Sequence, residues 1–298
     1  MSTASASEKL GFHKIKSRYI FLWLLLFYLI FASVYGLLSN LFPNLPGFED
    51  PLVDQILYSC SFISLCYLFW RKFQGSGLKP RQLLGNLRPS YPWWSLLRLA
   101  VVLLLFSMSA ALLSFYSLSL VAPGVFESFM ESIAQQDTQG SAIPLIYRIW
   151  ETVNYTIVAP ITEEFIFRGV LLHRLATKWN LTAGIWLSSI IFGLMHPNPI
   201  GIAIVGAAWA LLYLKTKTLV VPIVAHSMNN TIVVVGEWLS TFNQETSNVA
   251  ESASDITGYD WLMAFLLLMV SLPFVLNFMY RRFPKKDQPL PYAMNNEQ

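Results

Sequence analysis

Apolar residues in this chain fall into long uninterrupted runs, with no sustained two-residue alternation. Crossing a hydrocarbon core takes about 20 apolar residues in a helix. Eight segments approach or exceed that length: 19–41, 54–70, 93–121, 144–178, 181–197, 199–214, 219–239 and 261–280. The pattern predicts an all-α fold, a polytopic transmembrane helix bundle of about eight spans. Segment 144–178 is overlong, since about 35 residues of helix measure about 52 Å against a core of about 30 Å. A kink or break is therefore expected at Pro160. Segments 181–197 and 199–214 are short and are divided by Pro197-Asn198-Pro199, which forces a tight turn.

Composition supports a membrane protein. Hydrophobic residues make up 55% and charged residues 12%, and mean hydropathy is +0.50, whereas a soluble domain carries about 25% charged residues. The 10 Trp, 13 Tyr and 21 Phe suit buried helices with aromatic belts. With the N-terminus inside and alternating spans, all of the 20 basic residues except Arg148 and Arg168 fall on the inner side or at span ends facing it. Glu49, Asp50, Asp54, Glu127, Glu131 and Asp137 fall outside. The positive-inside rule then places both termini in the cytoplasm of a multi-pass integral protein. Short loops and the lack of an organelle address resemble a bacterial plasma-membrane protein. The net charge of +3, spread over small clusters, argues against a nucleic-acid partner. Cys60 and Cys66 share one apolar run, so neither a disulfide framework nor a cysteine metal cluster is expected. The first apolar run exceeds a signal-peptide core, and the C-terminal residues hold no CaaX cysteine. Residues 241–260 read as an outside loop and 284–298 as a mobile tail.

Several polar residues lie where a bilayer disfavours them. Each intramembrane charge costs about 2.5–3.5 kcal/mol on insertion scales, and Glu163, Glu164 and Arg168 sit in one apolar run. Glu164 and Arg168 are four residues apart with the acid first, the favourable order for a helical ion pair. Glu163 is rotated about 100° from Glu164 and lacks that partner; such a carboxylate is a candidate general base. His196 ends the fifth segment. His226 and Asn230 share a helix face in the seventh. Counted from a turn at Asn180, Glu163 and His196 lie at matching depths of about 25 Å on adjacent antiparallel helices. His226 and Asn230 rise about 14 and 20 Å above the next inner turn, near Lys217. A polar cluster in the bundle interior is expected.

Glu163-Glu164-x-x-x-Arg168, Phe192-x-x-x-His196 and His226-x-x-x-Asn230 resemble, in order and spacing, the three motifs of the CAAX prenyl endopeptidase and bacteriocin-processing (CPBP, or Abi) family of intramembrane proteases. The likeness divides the chain into an N-terminal arm with three variable spans (1–147), a catalytic core (148–240) and an outside loop, last span and tail (241–298). It implies a membrane-embedded endopeptidase acting on a membrane-bound peptide or protein, prenylated or bacteriocin-like. In that scheme Glu163 is the general base and His196 helps hold the attacking water. His226 and Asn230 stabilise the oxyanion, and Glu164 and Arg168 support the framework. No cofactor is expected. The alternative is zinc, because two histidines and a carboxylate form an ordinary catalytic set, although the HExxH signature is absent. A non-catalytic immunity or scaffold protein is the other alternative. A transporter is disfavoured by the lack of repeat symmetry.

Overall fold

The computed structural model describes residues 11–42, 45, 47–48, 50–137, 145–244, 258–285 and 288–296. Lys9, Glu49, Lys286 and most of the expected outside loop 241–260 lie outside the described residues. Among those described, all regular structure is helical. The helices are α1 (Ile20–Leu41), α2 (Pro51–Gly75), α3 (Pro80–Leu84), α4 (Trp93–Val121) and α5 (Pro123–Asp137). After them come α6, a continuous helical run from Leu145 to Lys178, then α7 (Leu181–Leu194), α8 (Pro199–Thr216), α9 (Val220–Gln244), α10 (Gly258–Arg282) and α11 (Pro291–Asn296).

Each apolar run marked in the sequence contains a helix, but the count of eight spans is not established. Among the described residues five helices are long and apolar enough to cross a membrane: Gly11–Leu41, Leu52–Gly75, Trp93–Val121, Pro199–Thr216 and Trp261–Arg282. Helix α7 is apolar but shorter. Helices α6 and α9 carry the polar residues of the interior, which lowers their hydropathy.

Helix starts follow from capping side chains. Asp50 accepts from Leu52 N at 2.8 Å, Asn180 from Ala183 N at 2.8 Å and Asn198 from Gly201 N at 3.1 Å, each filling an orphan N–H of the first turn. Lys217, in the left-handed region at φ 60°, closes α8.

Helix α8 is the central element. Val205, Ala207, Ala208, Ala210, Leu211 and Tyr213 have no exposed surface, as expected of a helix apolar on all sides. It packs against α7, α4, α9 and α10, while α10 lies along α4. Small residues permit the close approach of α7 and α8: a Cβ on Gly193 would meet Ala203 Cβ at 2.9 Å. Helix α1 packs on α2 at the edge and buries only Ile20, leaving Phe21, Leu22, Leu25 and Leu29 exposed as a lipid-facing surface would be.

Helix α6 does not break at Pro160. Its backbone stays in the right-handed helical region at Val158 and Phe165, and the register changes instead. Residues Asn154–Val158 and Phe165–Leu172 are π-helical, between the α segments Leu145–Val153, Ala159–Glu164 and His173–Lys178. In the first π turn Ala159 N–H donates to Asn154 O. Pro160, next in that register, has no N–H to give Tyr155 O. Helix α9 replaces the missing donor: Asn230 Nδ2 donates to Tyr155 O at 2.8 Å, and Ser227 Oγ donates to Thr156 O.

His173 is fully buried, stacked on Phe12 at 5.1 Å, with Nδ1 donating to Arg168 O at 3.0 Å. One further expectation is corrected. The C-terminal residues 284–298, read as a mobile tail, contain α11, whose Tyr292 and Ala293 are buried. Tyr292 meets Phe12 edge-on at 5.2 Å and its hydroxyl accepts from Lys79 N at 2.9 Å. Asn295 Nδ2 donates to Gln82 O and Lys217 O, both at 2.8 Å. Leu219 N and Thr218 Oγ1 donate to Leu84 O at 3.0 and 2.6 Å, which fastens α3 to the start of α9.

Candidate active site

The interior polar residues come from four helices and one turn. Glu163 and Glu164 end the α segment that follows Pro160, Arg168 lies in the second π segment, and both carboxylates and the guanidinium are buried. His196 sits in the turn just past α7, whose last residue is Leu194, with its backbone N–H on Gly193 O at 2.9 Å. His226, Asn229 and Asn230 lie on α9.

Glu164 and Arg168 form an ion pair at 2.8 Å between Oε1 and Nη1, with side chains 0% and 1% exposed. Arg168 Nη2 also donates to Gly206 O at 2.9 Å, and the guanidinium lies 4.5 Å from the Phe192 ring centroid and 5.6 Å from that of Trp209. Glu164 Oε1 further meets His226 Nδ1 at 3.1 Å. A carboxylate oxygen accepts, so Nδ1 carries the proton and Nε2 points elsewhere. The His226 ring is clamped by Trp209, stacked at 4.2 Å, and by the edge-on Phe192 ring at 5.8 Å.

His226 Nε2 faces Glu163 Oε2 at 3.8 Å, too far for a hydrogen bond. Glu163 Oε1 accepts from Tyr58 Oη at 2.5 Å, while Oε2 is buried and has no hydrogen-bond partner among the described residues. His196 Nδ1 lies 2.8 Å from Phe192 O. That carbonyl can only accept, so Nε2 of a neutral His196 is left as a base.

Glu163, His196, His226 and Asn230 line one cavity of about 630 Å³, together with Tyr58, Asn154, Trp209 and Asn229. The structure thus gathers these four around a shared space. Among the described residues no hydrogen bond joins His196 to the other three, and the Asn230 amide donates to Tyr155 O. Glu163 is not the partnerless group that the spacing suggested. Tyr58, Trp209 and Asn229 escaped the sequence reading. Tyr58 had a signal, since Asp54, Gln55 and Tyr58 fall on one face of α2 and all three line the cavity. Asn229, whose Oδ1 is buried without a partner, is three residues from His226.

The zinc alternative can be set against this arrangement. Among the described residues no group of three or more His, Cys, Asp and Glu side chains is placed to hold a metal ion. The Nδ1 contacts of His226 with Glu164 and of His196 with Phe192 O leave Nε2 of each ring to a ligand and do not argue against a metal. It is the placement of the three side chains relative to one another that does not suit a zinc ion.

The helices thus bring a buried carboxylate and two histidines to one interior cavity. Residues 145–232 match the family model described as type II CAAX prenyl endopeptidase Rce1-like. Over 97 residues the chain is 38% identical to YdiL of Bacillus subtilis (strain 168), by name a candidate membrane peptidase, covering 32% of this chain and 38% of that protein. Over 94 residues it is 34% identical to the membrane-embedded CAAX protease MroQ of Staphylococcus aureus (strain USA300), covering 28% of this chain and 38% of that protein. The alignments span 38% of the length of each of these curated relatives. No solved structure matches. Over residues 145–232, well short of half of its length, the chain is similar to the Rce1-like CAAX proteases.

Proposed function

We propose that this protein is an intramembrane endopeptidase that hydrolyses a peptide bond of a membrane-associated substrate with a water activated by Glu163 and His196. The observation that carries the reading is Glu163 Oε2, a buried oxygen with no hydrogen-bond partner among the described residues, on a cavity it shares with both histidines. The adjacent Glu164, by contrast, is neutralised by Arg168. The family-model match over residues 145–232 and the names of the two relatives support peptide hydrolysis as the reaction class.

The chemistry runs through this chain's own groups. A water between Glu163 Oε2 and His196 Nε2 gives its proton to the carboxylate as its oxygen attacks the scissile carbonyl carbon. The tetrahedral oxyanion is met by His226, protonated at both ring nitrogens and held at Nδ1 by Glu164, and by the Asn230 N–H not used on Tyr155 O. Each such donor is worth about 2.7–4 kcal/mol of barrier. The C–N bond breaks as the proton on Glu163 passes to the leaving amine. No metal takes part. The substrate is a membrane-bound peptide or protein, with prenylated or bacteriocin-like segments as the candidates. The chain crosses the membrane about eight times with both termini in the cytoplasm, as the placement of Lys and Arg supports.

The test compares the termini of membrane proteins in host cells expressing wild type or Glu163→Gln, which keeps size and hydrogen bonding but removes the base. Termini that appear with wild type and vanish in the variant are expected, and they name the substrate. Identical profiles from two folded proteins would refute catalysis by Glu163 and leave an immunity or scaffold role.

A further inference from the structure

Helix α2 lies outside the residues that match the family, yet it makes the one hydrogen bond to Glu163 among the described residues. The contact joins positions 105 apart in sequence, at 2.5 Å between Tyr58 Oη and Glu163 Oε1. A hydroxyl donating to an ionised carboxylate at this distance makes a short, charge-assisted hydrogen bond. The phenol is itself held: its ring packs on Phe62 with centroids 4.4 Å apart, and both Tyr58 and Glu163 line the cavity.

The consequence concerns the second carboxylate oxygen. The terminal torsion of a glutamate is broad and two-fold, so an untethered carboxylate turns readily. Glu163 Oε2 stands 3.8 Å from His226 Nε2, and about 1 Å of travel would close that gap into a direct ion pair. The base would then be spent on His226, and the group assigned to the oxyanion would be spent with it. Tying Oε1 to α2 fixes the carboxylate plane and keeps Oε2 turned to the cavity.

We propose that Tyr58 is a positioning residue for Glu163, holding the base clear of His226; this rests on the reading of Glu163 as the base. A hydrogen bond to a charged group of this kind corresponds to about a ten- to hundredfold effect. Tyr58→Phe removes the hydroxyl and keeps the ring on Phe62. In the full-length protein reconstituted in lipid nanodiscs, the probe is a peptide spanning a terminus found by the profiling above. Tyr58→Phe is expected to lower kcat about ten- to hundredfold with KM unchanged, in a protein that still folds. The infrared carboxylate band that disappears in Glu163→Gln is expected to shift in Tyr58→Phe, a readout that needs no turnover.

A kcat within twofold of wild type in Tyr58→Phe, beside an inactive Glu163→Gln, would overturn the positioning role alone. So would a rise confined to KM, or an unmoved carboxylate band. Activity retained in Glu163→Gln would overturn the base assignment and the positioning role with it.

Discussion

Arg168→Met removes the single guanidinium of the interior cluster while keeping an unbranched side chain of similar reach. The loss includes the 2.8 Å ion pair with Glu164, the 2.9 Å bond to Gly206 O and the contacts over Phe192 and Trp209. Glu164 would keep only His226 Nδ1, because its Oε2 already has no hydrogen-bond partner. Breaking a buried pair by removing one member costs about 3–5 kcal/mol, mostly the burden of the charge left behind. The burial of both side chains, 1% and 0% exposed, places this case toward the upper end. Removing the second charge as well should return much of the loss, so Glu164→Gln/Arg168→Met is expected to be at least about 2 kcal/mol more stable than Arg168→Met. The assay is equilibrium unfolding in mixed detergent micelles, followed by tryptophan fluorescence. The double variant should nevertheless stay catalytically impaired, since the carboxylate that holds His226 is gone. A single-variant cost below about 1 kcal/mol, or a double variant no more stable than the single one, would refute this account of the pair.

Asn230→Ala is expected to lose stability as well as turnover. It leaves Tyr155 O without its donor beside Pro160, a cost of about 1–3 kcal/mol, and an unchanged unfolding midpoint would show that this bond carries nothing. Dialysis of the reconstituted protein against a chelator is expected to leave peptide hydrolysis intact; stoichiometric zinc by elemental analysis, with activity lost on its removal, would overturn the metal-free mechanism.

Much of the fold was legible because apolar runs and turn residues carry it. Helix α4 begins and ends where the run 93–121 does, and Pro197-Asn198-Pro199 marks the turn before α8. The close pairing of Glu164 with Arg168 follows from a four-residue spacing. What was not legible depends on partners distant in sequence. The π turns of α6 keep dihedrals near those of an α-helix, and what sustains the first of them is a pair of side chains on α9 that supply donors to Tyr155 O and Thr156 O. Helix α9 runs to Gln244, past the expected end at 239, into residues whose polarity reads as loop. Tyr58 lies in a run that is mostly apolar, and only the packing of α2 on α6 shows what it touches. The burial of His173 comes likewise from Phe12, on a segment far earlier in the chain.

The fastening of α11 bears on how the chain is assembled. Asn295 ties Gln82 to Lys217, and Tyr292 closes over Phe12 and the Lys79 N–H. These contacts join the start of the described chain, its middle and its last helix. Synthesis runs from the N-terminus, so Gln82 and Lys217 are made long before the amide that bridges them. The clasp forms only after residue 295 has been made, so a chain cut before Tyr292 would leave the seam between Gln82 and Lys217 open.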